Sequence, residues 1–169
     1  MEQTAWITRN FNFDFPEGLF PVIIGRLSGS YARIAELTNN CNTNLLTYQP
    51  QAKWSVQQHI GHLIDLEELH IGRLADYQSG ATVLRAWDGV NQKTNSGNYN
   101  QQSLQQLLSE FKRVRNILLF DLTSFSDKEL IKTAIHPRLE VKMRVIDLAY
   151  FIAEHDDHHI AKIITILNK

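Results

Sequence analysis

The sequence contains a single cysteine, Cys41, among 169 residues, so it holds no internal disulfide and no cysteine-built metal site. Such usage fits a reducing cytoplasm, where we expect the protein to reside. Cys41 lies in the polar run Asn39-Asn40-Cys41-Asn42 with no basic partner beside it, so it reads as a surface or partly buried thiol rather than a nucleophile. An excess of either charge is also lacking: 17 Lys+Arg oppose 18 Asp+Glu, for a formal net charge of -1. Nothing electrostatic draws such a chain to nucleic acid or to an anionic membrane, and neither is expected as a partner. No uninterrupted apolar stretch approaches the roughly 20 residues that span a bilayer. Residues 1–11 lack the basic-then-apolar order of a signal peptide. Repeats, low-complexity tracts and domain linkers are missing, and strand signals are weak, with only residues 139–143 suiting a brief extended piece.

What is present suits one globular domain. Hydrophobic residues make up 43% and charged residues 21%, and the length supports a real core over residues 1–169. Four segments repeat their apolar residues every three or four positions, the spacing of amphipathic helices. The first runs over about 20–37, through Ile23, Leu27 and Ile34, to a stop at Asn39-Asn40. The second covers about 56–77; Ser55 and Gln58 form a capping-box pattern at its start and Gly80 marks its end. Val56, Ile60, Leu63, Leu66, Leu69 and Leu74 give it a broad apolar face. The third covers about 101–122, and Ser126 with Glu129 predicts a short helical turn after it. The fourth covers about 144–167. Long connections at 81–100 and 123–143 separate them, and Trp6, Phe11, Phe13 and Phe15 predict that residues 1–15 pack along the helices. The economical fold class is all-α, a four-helix bundle with long crossover connections.

Seven histidines stand out in this frame. His155 and His159 are four apart in the fourth helix, about 40° apart around its axis, so their rings share one face. Leu148 and Ile166 lie about 20° from His155 and Ile152 about 60°, which places both histidines inside the core-facing stripe. Two adjacent buried imidazoles need partners for their ring nitrogens, and one metal ion serves both. The competing reading is a pair of core histidines bonded to neighbouring carbonyls or carboxylates. A third ligand is needed, and the second helix offers His59, His62 and His70, among which periodicity does not choose. Asp157 and His158 read as solvated outer-face residues, while Asp156 is a candidate to orient a ligand from behind. Glu67-x-x-His70 occurs once and has no second copy, which disfavours a di-iron carboxylate bundle.

The stretches Trp54-Ser55-Val56-Gln57-Gln58-His59-Ile60-Gly61-His62-Leu63 and Ala153-Glu154-His155-Asp156-Asp157-His158-His159 resemble the DinB / YfiT-like superfamily, specifically its DinB-like four-helix members. The resemblance runs from about Trp6 to the end of the chain. In that family a Trp-Ser opening precedes a histidine in a Gly-His-Leu setting, and the last helix carries His-x-x-x-His. The resemblance therefore implies His62, His155 and His159 as metal ligands. It implies no one reaction, since the family spans thiol S-transferases that use bacillithiol, mycothiol or glutathione, a maleylpyruvate isomerase, and members labelled metal-dependent hydrolases.

Three neutral protein ligands leave a position open, as catalytic sites do. We therefore expect one divalent metal ion, with zinc, nickel and iron the suited choices. The expected function is a metal-dependent enzyme acting on a small-molecule substrate, either a hydrolase or a transferase with a low-molecular-weight thiol as cosubstrate. The alternative is a non-catalytic metal- or ligand-binding bundle. Trp87, Asp88, Asn91 and Thr94 after the second helix, and His136 and Arg138 before the fourth, are candidate pocket residues, with Arg138 suited to a substrate carboxylate. The competing reading is that these residues fix turns and caps. Apolar helix surface left after bundle formation makes a homodimer a further expectation.

Overall fold

The computed structural model describes residues 3–168; Met1, Glu2 and Lys169, which the domain expectation includes, lie outside the described residues. Among the described residues seven helices run in order: α1 (Phe20–Thr38), α2 (Thr43–Thr47), α3 (Val56–Gln78), α4 (Gln92–Ser96), α5 (Leu104–Ser124), α6 (Asp127–Leu130) and α7 (Val145–Leu167). The four long ones match the four amphipathic segments. Their boundaries reflect local chemistry. At the start of α3 the Ser55 hydroxyl accepts the Gln58 N–H at 3.2 Å, and the Gln58 side chain accepts the Ser55 N–H at 3.0 Å. The third long helix begins at Leu104, where its apolar stripe starts, rather than at about 101 as expected, because Tyr99–Gln101 forms a separate 3-10 turn and Ser103 caps α5. Asn40 and Gly80 carry the chain out of α1 and α3 at φ of 60° and 76°.

The expected extended piece is half of a hairpin. Strand β1 (Thr133–His136) pairs antiparallel with β2 (Val141–Arg144), with His136 opposite Val141. The hairpin sits in the connection before α7, and Val83 bridges to Ile135 beside it.

Helix α3 packs on α5 and α7, and α1 packs on α7 and α5. That arrangement sets α1 diagonal to α3 and α5 diagonal to α7, so two of the three interhelix connections must cross the end of the bundle. The connection at 123–143 is one of these crossovers and the one holding α2 is the other, whereas the long connection at 81–100 joins the packed neighbours α3 and α5. Near the N-terminus, Trp6, Phe11, Phe13 and Phe15 pack half-buried against the core. Arg144 fastens this segment, donating to the carbonyls of Phe13 and Phe15 at 3.0 Å each.

The apolar core comes in two pieces. One collects Ile23, Leu27, Leu74, Leu118, Leu122 and the first turns of α7. The other collects Ile34, Ile60, Leu63, Phe111, Ile160 and Ile163. Between them each long helix contributes buried polar residues: Ser30 from α1, Glu67 from α3, Arg115 from α5 and Asp156 from α7, with the histidines of α3 and α7 beside them.

Candidate metal centre

The polar layer is built by helical spacing. His59, His62 and His70 ride on α3, and His155 and His159 on α7, all with less than a tenth of their surface exposed. Nε2 of His155 lies 3.4 Å from Nε2 of His62 and 3.0 Å from Nε2 of His159. One nitrogen from each of the three lies within 4.8 Å of the others. Two nitrogens held by a tetrahedral ion at about 2.05 Å sit about 3.3 Å apart, so the spacing suits a shared ion. His59 and His70 do not join this group. His59 instead stands behind it, with Nδ1 at 2.8 Å from Nδ1 of His159. The rings of His70 and His155 are 6.5 Å apart, and Nδ1 of His70 is buried without a partner.

The outer nitrogens are oriented. Nδ1 of His62 lies 3.1 Å from the Thr94 hydroxyl, which donates to Asp65 at 2.8 Å. Tyr99 donates to the other oxygen of Asp65 at 2.6 Å. Thr94 has only one proton and gives it to the carboxylate, so it accepts from Nδ1–H of His62. That fixes the His62 tautomer and leaves its Nε2 lone pair aimed at the cluster. The close seat of Tyr99 depends on Gly61, where a Cβ would come within 2.3 Å of the tyrosine ring. Burial keeps these imidazoles neutral: it pulls His62 down to about 4 and His59 to about 3, and sends His155 and His159 well below the usual histidine range. Neutral imidazole is the form that binds metal.

A cavity of about 400 Å³ opens on the three histidines. Leu66 and Leu69, expected in the core, are half-buried because they wall this cavity, and Trp6, Trp54 and Phe151 supply aromatic walls. Asn91, His136 and Arg138 line it as well. Asp88 does not; its carboxylate accepts the N–H groups of Val90, Asn91 and Gln92 at 2.8–3.0 Å, which folds the turn into α4. Asp156 is turned away from the histidines. Its carboxylate accepts from Arg115, with Nη2 at 3.0 Å, and from Ser30 at 2.6 Å. Arg115 also pairs with Glu67 at 2.5 Å. Asp157, expected in solvent, pairs with Arg26 and with Arg33, and His158 is half-buried on the cavity wall.

Sequence reasoning missed Asp65, Tyr99 and Arg115. Asp65 lies three residues after His62, on one side of the helix, a spacing that marks it as a polar neighbour of the site. Arg115 had no such signal, since it reads as one more charge beside an apolar stripe.

No helix among the described residues is long and apolar enough to cross a membrane. No curated protein matches the sequence significantly. Among solved structures the chain is similar to YfiT from Bacillus subtilis, described as a probable metal-dependent hydrolase with an unusual four-helix bundle topology. The two superpose with a TM-score of 0.73 at 16% identity, over 94% of this chain and 91% of that one. At that identity the likeness speaks for the fold, a four-helix bundle of the same kind. The sequence profile of the DinB superfamily matches residues 26–163, from α1 through most of α7. That span is most of the chain and takes in all three histidines of the cluster, and the protein belongs to the DinB superfamily.

Proposed function

We propose that this protein is a metal-dependent enzyme acting on a small molecule, with one divalent ion held by Nε2 of His62, His155 and His159. The observation that carries the reading is the convergence of three neutral imidazole nitrogens on one open cavity. The donor set fits such an ion. His62 presents a bare Nε2 because its proton is committed to Thr94. His159 does the same when its Nδ1–H donates to His59. With the His155 proton on Nδ1 as well, three lone pairs meet at these distances, and a cation among them relieves their repulsion. All-nitrogen ligation suits zinc, nickel or iron(II).

An ion in this place supplies Lewis acidity, lowering the pKa of a group coordinated from the cavity side. The chain's own residues set the geometry around it. Asp65 and Tyr99 hold Thr94, which holds the His62 ring, and His59 holds the His159 ring. The rings of Trp54 and Trp6 lie 4.7 Å from His62 and 4.9 Å from His155, and keep bulk water from the flanks. The activated group is water in a hydrolase and a low-molecular-weight thiol in an S-transferase. The description of YfiT as a probable metal-dependent hydrolase favours the first. Cytoplasmic residence remains the proposal from cysteine usage. The exposed Ile117 and Phe120 of α5 support a homodimer.

The test is elemental analysis of the untagged protein beside His62→Ala, His155→Ala and His159→Ala. We expect about one metal per chain in the wild type and its loss in each variant, with helical circular dichroism retained. A wild type that takes up no metal after incubation with zinc, nickel and iron(II) sinks the proposal.

A further inference from the structure

Beyond the histidine cluster, about one turn back along α7 and about three turns on along α3, the cavity changes character. Arg73 follows His70 by three residues, and Phe151 precedes His155 by four. His136 lies with its ring 5.1 Å from Phe151, and the Arg138 guanidinium sits 5.7 Å from the same ring. We propose that Arg73, His136 and Arg138 form a carboxylate subsite, which holds the acid group of the substrate while its reacting end lies at the three histidines. The inference rests on reading the histidine cavity as a substrate site.

Donors outnumber acceptors at this end of the cavity. His136 is 1% exposed, and its Nδ1 accepts the Leu139 N–H at 3.2 Å. The neutral ring therefore carries its proton on Nε2, a buried donor with no partner. Nη2 of Arg138 is likewise buried and unpartnered, while Nη1 donates to the Ile7 carbonyl at 3.1 Å. Arg73, 3% exposed, spends Nε on the Arg85 carbonyl at 3.1 Å. Neither arginine has an ion-pair partner among the described residues. Asp76, the carboxylate that acts on Arg73 through space, is itself engaged by Arg85 with hydrogen bonds of 2.7–3.2 Å.

Folded proteins pair their buried polar groups, and buried cations above all. Here two guanidiniums and one imidazole N–H face a cavity that has no carboxylate in its lining. His136 Nε2 and Arg138 Nη2 lack an acceptor and Arg73 lacks a counter-ion, and the lining offers no carboxylate to any of them, so a ligand acid fits the three together. Burial draws Arg73 down to about 10, which leaves it cationic at neutral pH. Guanidinium forks match the two in-plane oxygens of a carboxylate. The surrounding Leu69, Phe151 and Trp6 suit an apolar carbon skeleton attached to that acid, and a more highly charged phosphate is costlier to strip of water beside them.

Isothermal titration of the full chain, freed of metal with a chelator, tests the subsite with phenylacetate, phenylacetamide and phenyl phosphate as probes. Without metal, an acid cannot bind by coordination, so the result is independent of the metal content of the wild type. We expect phenylacetate to bind at least about tenfold more tightly than the isosteric amide, the scale of one charge-assisted contact. Arg73→Gln and Arg138→Gln should each weaken the acid about tenfold and leave the amide unchanged, with Arg138→Lys intermediate. Equal binding of acid and amide, no binding of the acid at millimolar concentration, or preference for phenyl phosphate overturns the proposal. Acid binding that survives both glutamine variants overturns it too. Circular dichroism checks that the variants fold, and the wild-type comparison of acid with amide decides the matter even where one does not.

Discussion

Residues 155 and 156 are neighbours on α7, yet they belong to two buried clusters of opposite character. Asp156 meets Arg115, Glu67 and Ser30, where a guanidinium is ringed by acceptors from three other elements. His155 meets His62 and His159, where like nitrogens face one another. The first cluster is nearly complete in itself. Only Glu67 Oε2 lacks a partner, and burial pushes that carboxyl up to about 7. The second is complete only with something added. A balanced set of donors and acceptors joins four helices, whereas an unbalanced one beside a cavity waits for a ligand. Both lie in the same polar layer, so polarity and burial alone do not tell a structural cluster from a functional one. The balance of donors and acceptors does.

The comparison breaks most sharply at Arg115. Replacing Arg115 with Met leaves two carboxyl groups buried without their cation, at a cost of about 3–5 kcal/mol. We expect a large drop in the urea midpoint of Arg115→Met. Adding Glu67→Leu and Asp156→Leu to that variant should restore stability to near wild type or above, because no uncompensated charge remains. A histidine variant such as His155→Ala should show the reverse pattern, losing metal while keeping most of its stability. Were Arg115→Met to unfold no more easily than the wild type, the layer would not be a structural network.

Acid should separate the clusters next. All seven histidines are held below their ordinary range, chiefly by burial, with His136 at about 3 and His158 at about 4. The unfolded chain protonates them near 6.5 and the folded chain does not. Unfolding therefore takes up protons, and stability falls as pH drops from 6.5 toward about 4. Each fully buried histidine contributes about 1.4 kcal/mol per pH unit in that window. Glu67 acts in the opposite direction: its raised pKa favours the fold as pH falls from about 7 toward 4.5. One glutamic acid does not offset seven histidines. Thermal melts of the metal-free protein should decline steeply below pH 6. A melting temperature level from pH 7 to pH 4.5 would mean that the imidazoles are not held neutral by the fold.

How much of this was legible in the sequence depends on the reach of each contact. The four long helices were readable because apolar spacing and capping residues act locally, as at Ser55 and Gln58. His155 and His159 were readable because a helix puts residues four apart on one face. Periodicity left His62 level with His59 and His70, and the likeness to a known family chose among them. The structure separates the three by what lies across the bundle: α7 for His62, the back of His159 for His59, and the arginine end of the cavity for His70. Contacts of that range leave no local mark. Leu66 and Leu69 illustrate the same limit, since an apolar face reads alike whether it meets a core or a cavity. Asp88 and Asn91 were grouped with the pocket because they are polar and close in sequence. Only the fold shows that Asp88 spends its carboxylate on backbone amides while Asn91 reaches the cavity and takes the Trp87 N–H at 2.8 Å.

The smallest expected effect is the most discriminating, because it touches a residue that stands behind the histidine cluster without joining it. Thr94 is 2% exposed and passes a hydrogen bond from His62 to Asp65. Thr94→Val keeps the shape and removes the hydroxyl, so His62 loses the acceptor that fixes its tautomer. Outer partners of this kind are worth about 10–100-fold in metal affinity. We expect zinc binding, measured by competition with a chromophoric chelator, to weaken by about that factor while the stoichiometry stays near one. Tyr99→Phe is the control. It removes a different hydrogen bond to Asp65, at 2.6 Å, and leaves the Thr94 contact with His62 in place, so its effect on affinity should be smaller. If Thr94→Val instead lowers stability by several kcal/mol and leaves zinc affinity unchanged, Thr94 and Asp65 belong with Arg115 as structure. The division between a self-sufficient cluster and a ligand-requiring one would then run between His62 and its own hydrogen-bond partners.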